Sequence, residues 1–219
     1  MQTLLDFWPD LEKATLETLL MVGVTMVLAL LIGTPVGLLL YLTGPGGLRR
    51  SRLMHGLVAY AVNVLRSFPF IILLVVLIPL TRLLVGTSIG PKAAAVSLSV
   101  AAIPFFARLV EQSLRDVPKG VIDAALAFGA STRQILWQVL IPEAMPALLS
   151  SLTVTAVSFI AYSAVAGAIG AGGLGDLAIR YGYYRFETGV MVWCVLLMFV
   201  LVQAVQVAGG WLARRVDKR

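Results

Sequence analysis

The sequence predicts an all-α integral membrane protein with five transmembrane helices, its N-terminus outside, its C-terminus inside, and a helical hairpin on the inner side. Three observations carry this expectation. Of 219 residues, 59% are hydrophobic and 13% charged, whereas soluble domains run near about half and about a quarter. Asp, Glu, Lys and Arg are absent from 18–43, 67–81, 93–107, 144–175 and 188–213. The basic residues divide unequally once the spans are drawn. Twelve (Arg49, Arg50, Arg52, Arg66, Arg108, Arg115, Lys119, Arg133, Arg214, Arg215, Lys218, Arg219) fall inside and five (Lys13, Arg82, Lys92, Arg180, Arg185) outside.

The expected spans are approximately 18–43, 57–82, 92–115, 144–170 and 188–213, all within one transmembrane domain over 1–219. Crossing a hydrocarbon core of about 30 Å takes about 20 helical residues, which the first, fourth and fifth blocks supply. The second and third reach that length through Arg66, Arg82 and Arg108, whose heads extend to the interface. The stretch 53–65, which holds His55, is read either as interfacial or as the first half of a kinked second span, with Pro69 as the kink.

The first span follows an acidic segment with Asp6, Asp10, Glu12 and Glu17 and is read as a retained anchor rather than a cleaved signal. Gly44-Pro45-Gly46-Gly47 turns the chain after it, and Gly90-Pro91 breaks the outer turn before the third span. The net charge of +6 belongs to the inner membrane surface and its anionic lipid, since no basic stripe interleaved with aromatics points to nucleic acid. With one cysteine, Cys194, and one histidine, His55, an intrachain disulfide is impossible and neither a metal site nor a catalytic triad has its residues.

The polar island 117–142 carries the strongest local signal. Residues 119–128 favour a helix, Gly129 supplies a left-handed stop, and Ser131 with Gln134 has the spacing of a capping box that opens a second helix. Pro142 is expected to set a boundary before the fourth span. A structured hairpin joined to spans on both sides can carry a push from a soluble partner into the membrane.

The fourth span places Ser151, Thr155, Ser158 and Tyr162 on one face. Such a face either lines a pathway for amino-acid groups or bonds back to its own helix and across to neighbours. Ser163 follows, and then Gly167, Gly170, Gly172, Gly173 and Gly175 break the helix, a run that serves either a cavity or close helix packing. Without a following Lys-Ser/Thr it is no nucleotide loop.

The island resembles the E-A-A-x3-G-x9-I-x-L-P loop of bacterial ABC-importer permeases. Asp123-Ala124-Ala125, Gly129, and Val139 with Ile141-Pro142 keep its spacing, with Asp for Glu and Val/Ile for Ile/Leu. Arg66-Ser67-Phe68-Pro69-Phe70, Val85-Gly86-Thr87-Ser88-Ile89-Gly90, Tyr162-Ser163-Ala164 and Tyr181-Gly182-Tyr183 are similar in wording and order to the methionine-uptake branch. The resemblance implies a type I importer permease fold in the bacterial inner membrane and a homodimer with its pathway on the two-fold axis. It also implies two cytoplasmic ATPase subunits that bind ATP and Mg, and an external binding protein or lipoprotein. Asp123, Ala124, Ala125, Gly129, Ile141 and Pro142 then dock the ATPase. Ser151, Thr155, Ser158, Tyr162, Ser163, Gly170, Gly172 and Gly173 belong to the substrate path or its gate. This chain would hold no cofactor and catalyse nothing. The rival readings are an ABC permease for another small amino acid or a betaine, an ion-coupled carrier, and a membrane scaffold. The carrier is disfavoured because the charge-free blocks hold no group to bind a coupling ion.

Overall fold

The computed structural model describes residues 2–217, with side chains from residue 7 onward, and every regular element among them is helical. Lys218, Arg219 and the side chain of Asp6 lie outside the described residues. The first helix, α1, runs unbroken through Gln2–Leu28, a wider π-helical turn Ala29–Gly33, and Thr34–Thr43. Then come α2 (Arg52–Ser67), α3 (Phe70–Val76), α4 (Ile78–Val85), α5 (Pro91–Arg115) and α6 (Lys119–Ala127). Helix α7 (Thr132–Gly167) contains a π turn at Ile135–Leu140; α8 starts as Gly173–Leu177 and widens at Ala178–Tyr183; α9 is Thr188–Val216.

Four of these helices are long and apolar enough to cross a membrane, and the bent pair α2 and α3 makes a fifth if it counts as one span. The stretch 57–82, expected as the second span with Pro69 as the kink of its longer form, does bend at that proline and comprises the end of α2 followed by α3 and the start of α4. Pro69 forces extended backbone on Phe68, which lies at φ −77°, ψ 131°, so α3 leaves α2 at 100°. Helix α2 is therefore no straight continuation of the span, and its apolar side chains Leu53, Leu57 and Tyr60 are exposed along one side.

Pro142 departs from expectation in the other direction. Helix α7 passes through it without a break. Proline lacks the N–H that would bond one turn back, and its ring crowds that turn's carbonyl. The widened turn Ile135–Leu140 ends one residue short of Pro142, and Ala29–Gly33 lies in the same relation to Pro35, so each of these two prolines enters where the backbone has already opened.

The core is built around α5. Ala94, Leu98, Ala102, Phe106, Val110 and Leu114 recur every fourth residue and are all buried, so one stripe of α5 packs between α1 and α7. Close approach to α1 depends on Gly37, where a Cβ would lie 2.6 Å from the Ala107 carbonyl oxygen. A smaller cluster of Leu11, Ala14, Leu174, Leu177, Val190 and Cys194 joins the start of α1 to α8 and α9. It marks the end of the bundle opposite the hairpin. At the hairpin end, Asp116, Val117, Pro142 and Val216 line one cleft. The first and last long helices thus run from the far end to the hairpin end and end there, as an odd number of crossings requires.

Candidate coupling hairpin and translocation face

The hairpin is anchored from below by Ile122, Ile135, Leu136 and Leu140, all packed into the main core or buried beside it. Its turn is a paired capping arrangement. The Ala130 N–H donates to the Ala125 carbonyl at 3.1 Å and the Gly129 N–H to the Leu126 carbonyl at 2.9 Å, which closes α6. Gly129 sits at φ +77°, in the left-handed region that a β-carbon disfavours. Two residues on, Ser131 Oγ accepts the Gln134 N–H at 3.4 Å while Gln134 Oε1 accepts the Ser131 N–H at 2.8 Å, and α7 begins. Both ends of the turn are satisfied locally, so it holds its shape without a partner.

The outer surface of this hairpin bears Asp123, Ala124, Gly129 and Pro142, with Ala125 and Ile141 half-buried. It also bears two aromatics that sequence reasoning did not single out: Phe128, 92% exposed, and Trp137, 59% exposed. Together with exposed Val121 and Leu126, large apolar rings held on a locally capped hairpin are what a docking surface offers a partner. The available signal was their position within the polar island.

On α7, the hydroxyl face is occupied mostly with its own helix. Thr155 donates to the Ser151 carbonyl at 2.8 Å, Ser158 to the Val154 carbonyl at 2.9 Å, and Ser163 to the Ile160 carbonyl at 2.7 Å. Ser151 Oγ meets Ser113 Oγ of α5 at 3.0 Å. Thr155 and Ser163 are buried. Tyr162 alone of this set presents a large surface, 36% exposed, and its ring stacks on Phe70 with centroids 4.8 Å apart. Phe159 meets Tyr162 edge-on at 5.1 Å and Phe105 at 5.9 Å. Three helices, α3, α5 and α7, thus deliver one aromatic group that no spacing in the sequence connects.

The glycine run forms a sharp re-entry. Helix α7 stops at Gly167, and Gly170, Gly172 and Gly173 take φ of +90°, +80° and +78°. The first turn of α8 would leave orphan N–H groups, and α1 supplies their acceptors: Glu17 Oε2 takes the Gly173 N–H at 2.8 Å and Thr18 Oγ1 the Leu174 N–H at 2.9 Å. The Gly170 carbonyl accepts from the Gly90 N–H at 3.0 Å, tying the break to the turn before α5. Neither Glu17 nor Thr18 was a predicted site residue. Their acceptor role lies 156 positions from the donors and leaves no local pattern.

A membrane bundle with a self-capped helical hairpin at one end and a glycine-hinged re-entry at the other has the form of a transporter's membrane subunit. The sequence profile described as binding-protein-dependent transport system inner membrane component matches residues 33–218, and the chain belongs to that family. It is a multi-pass inner-membrane permease subunit, with the ATPase of such systems residing in a separate chain. It is 46% identical over 209 residues to the probable D-methionine transport system permease protein MetI of Vibrio cholerae, covering 95% of this chain and 93% of that protein. It is 45% identical over 210 residues to the methionine import system permease protein MetP of Bacillus subtilis, covering 96% of this chain and 95% of that one. A chain from the inward-facing MetNI methionine ABC transporter superposes with a TM-score of 0.94 at 44% identity, covering 97% of this chain and 99% of its own.

Proposed function

We propose that this chain is the membrane-spanning subunit of an ATP-driven methionine importer that works by alternating access. The single observation carrying the mechanism is the continuity of α7: the helix opened by the hairpin's capping box is the helix that bears Tyr162. A displacement of the hairpin is thereby a displacement of the aromatic group, with no loop between them to absorb it. Two copies of the chain form the pathway at their interface, two cytoplasmic ATPases binding ATP and Mg dock on Asp123, Ala124, Ala125, Gly129, Ile141 and Pro142, and an external binding protein delivers substrate. Gly170, Gly172 and Gly173 serve as the outer hinge. Ser151, Thr155, Ser158 and Ser163 act chiefly by shaping α7, with Tyr162 in contact with the pathway. Methionine is favoured by the likeness to proteins named for it, at 45–46% identity over nearly the whole chain.

A second reading draws on the rings of Phe70, Phe159 and Tyr162, because clustered aromatics are how proteins hold quaternary ammonium groups. Centroids 4.8 and 5.1 Å apart are the rings' contact with one another, however, and a cation between them would have to separate them. The test is uptake by the reconstituted complex with its ATPase and binding protein in vesicles. ATP-dependent accumulation of labelled methionine, undiminished by excess glycine betaine, is expected. Robust accumulation of betaine or another amino acid without methionine would overturn the substrate assignment.

A further inference from the structure

We propose that Glu111, through the two arginines it holds, is a positioning residue that ties the coupling hairpin to the bent helix carrying Phe70; the inference rests on the importer reading above. Glu111 lies in the last turns of α5 and is 5% exposed. Its Oε2 accepts from Arg108 Nη1 at 2.6 Å, and its Oε1 from Arg115 Nη2 at 2.8 Å and Nε at 3.2 Å. All three residues sit on one face of α5, at positions i, i+3 and i+7, so that Glu111 is three residues from one arginine and four from the other. An ion pair that merely supported a helix would end there.

These arginines go further. Arg108 Nη2 donates to Asn63 Oδ1 at 2.8 Å and to the Ala59 carbonyl at 3.4 Å, both on α2. Arg115 Nη1 reaches the Pro45 carbonyl at 3.5 Å in the turn before α2. The carboxylate therefore fixes two guanidinium forks whose remaining donors grip the far half of α2 and the turn that leads into it. Without it, Arg108 and Arg115 would face one another, and Arg66 on the same groove, with no charge between them.

Position gives this clamp its consequence. Only Asp116, Val117 and Pro118 separate Arg115 from α6, and Val117 is buried in the main core. At the other side, α2 passes through Phe68 and Pro69 to Phe70, whose ring lies on Tyr162. A contiguous chain of packed and hydrogen-bonded groups thus runs from hairpin to aromatic contact along α5 and α2, separate from the route through α7. Two routes from one hairpin let α3 and α7 move together at the Phe70 and Tyr162 contact. If the clamp loosened, ATP-driven motion would reach α7 and leave α3 behind.

The reading is tested by the number of ATP molecules hydrolysed per methionine imported, measured on full complexes in vesicles and normalised to assembled complex. A brace that only supports folding changes the amount of complex and leaves this ratio alone. Asn63→Ala removes an exposed side chain and one grip on α2; Glu111→Gln removes the charge between the arginines. Loss of a charge-assisted hydrogen bond predicts a ratio raised about threefold or more in each, while Asn63→Asp, which keeps an acceptor for Arg108, stays near the unmodified ratio. Unmodified ratios in Asn63→Ala and Glu111→Gln would overturn the proposal. Should Glu111→Gln fail to assemble, Asn63→Ala decides alone by the same criterion. Unmodified complex that moves a different ligand would defeat the methionine reading instead, and the ratio for that ligand would still judge the clamp.

Discussion

Glu17 on α1 and Gly173 on α8 are joined by a 2.8 Å hydrogen bond from the Gly173 N–H to Glu17 Oε2, across 156 residues of sequence. With Thr18 accepting from Leu174 beside it, the first long helix caps the re-entrant helix that follows the glycine break. The first-turn donors of α8 have no partner within the helix and its N-cap, Gly172, has no side chain to offer one, so α1 supplies the acceptors.

Thr18 makes this testable, because it is 1% exposed and the N–H it accepts is buried. Thr18→Val keeps the side-chain shape and orphans that donor, which costs about 1–3 kcal/mol. The purified protein should unfold at lower temperature than the Thr18→Ser variant, which retains the acceptor. Equal thermal stability of the two variants would show that the cap contributes nothing.

Gly129 isolates backbone conformation from packing. A Cβ there would meet nothing within 4 Å, so the whole cost of a side chain comes from φ +77°. Gly129→Val should cost about 1 kcal/mol or more at the turn and weaken ATPase capture or the coupling of hydrolysis to uptake, leaving insertion intact. Gly129→Asn should be milder, since asparagine tolerates the left-handed region. Pull-down of the ATPase and ATP-driven uptake with each variant check the order, and a valine form that captures the ATPase and transports at the unmodified rate would remove this turn from the coupling role.

Exposed aromatics on the same hairpin predict a contact effect without a folding effect. Phe128→Ala changes a side chain that is 92% exposed and leaves the Ala130 and Gly129 caps untouched. Hot-spot aromatics at interfaces typically contribute about 2 kcal/mol or more, so affinity for the ATPase should fall by about thirtyfold or more with no change in thermal stability. Unaltered affinity would place the docking contact elsewhere on the hairpin.

Orientation is a separate expectation, from the twelve-to-five division of basic residues. In a Cys194→Ala background, a cysteine at position 217 should resist impermeant thiol reagents in intact cells and react once the membrane is opened. Cys194 is the sole cysteine of the sequence, so its replacement leaves position 217 as the one reactive thiol. Labelling at 217 from outside would reverse the topology.

The long charge-free blocks determined the helical membrane class, because a backbone in hydrocarbon has to satisfy its own hydrogen bonds and helices do so within one segment. Local chemistry also determined the hairpin turn: a left-handed glycine and a Ser-x-x-Gln cap act within a few residues and need no tertiary context. The family likeness was legible at the same place, in the spacing of Asp123, Gly129 and Pro142. Pro142 and the second span were not legible to the same degree. At Pro142 the turn before the proline has widened, and the burial of Ile135 and Leu140 holds that wider turn in place, which local sequence does not reveal. Tertiary structure alone joined Phe70 to Tyr162, Glu17 to Gly173 and Arg108 to Asn63. Each pair consists of side chains whose meeting depends on how helices cross, and crossing is decided by side-chain packing between segments far apart in the chain.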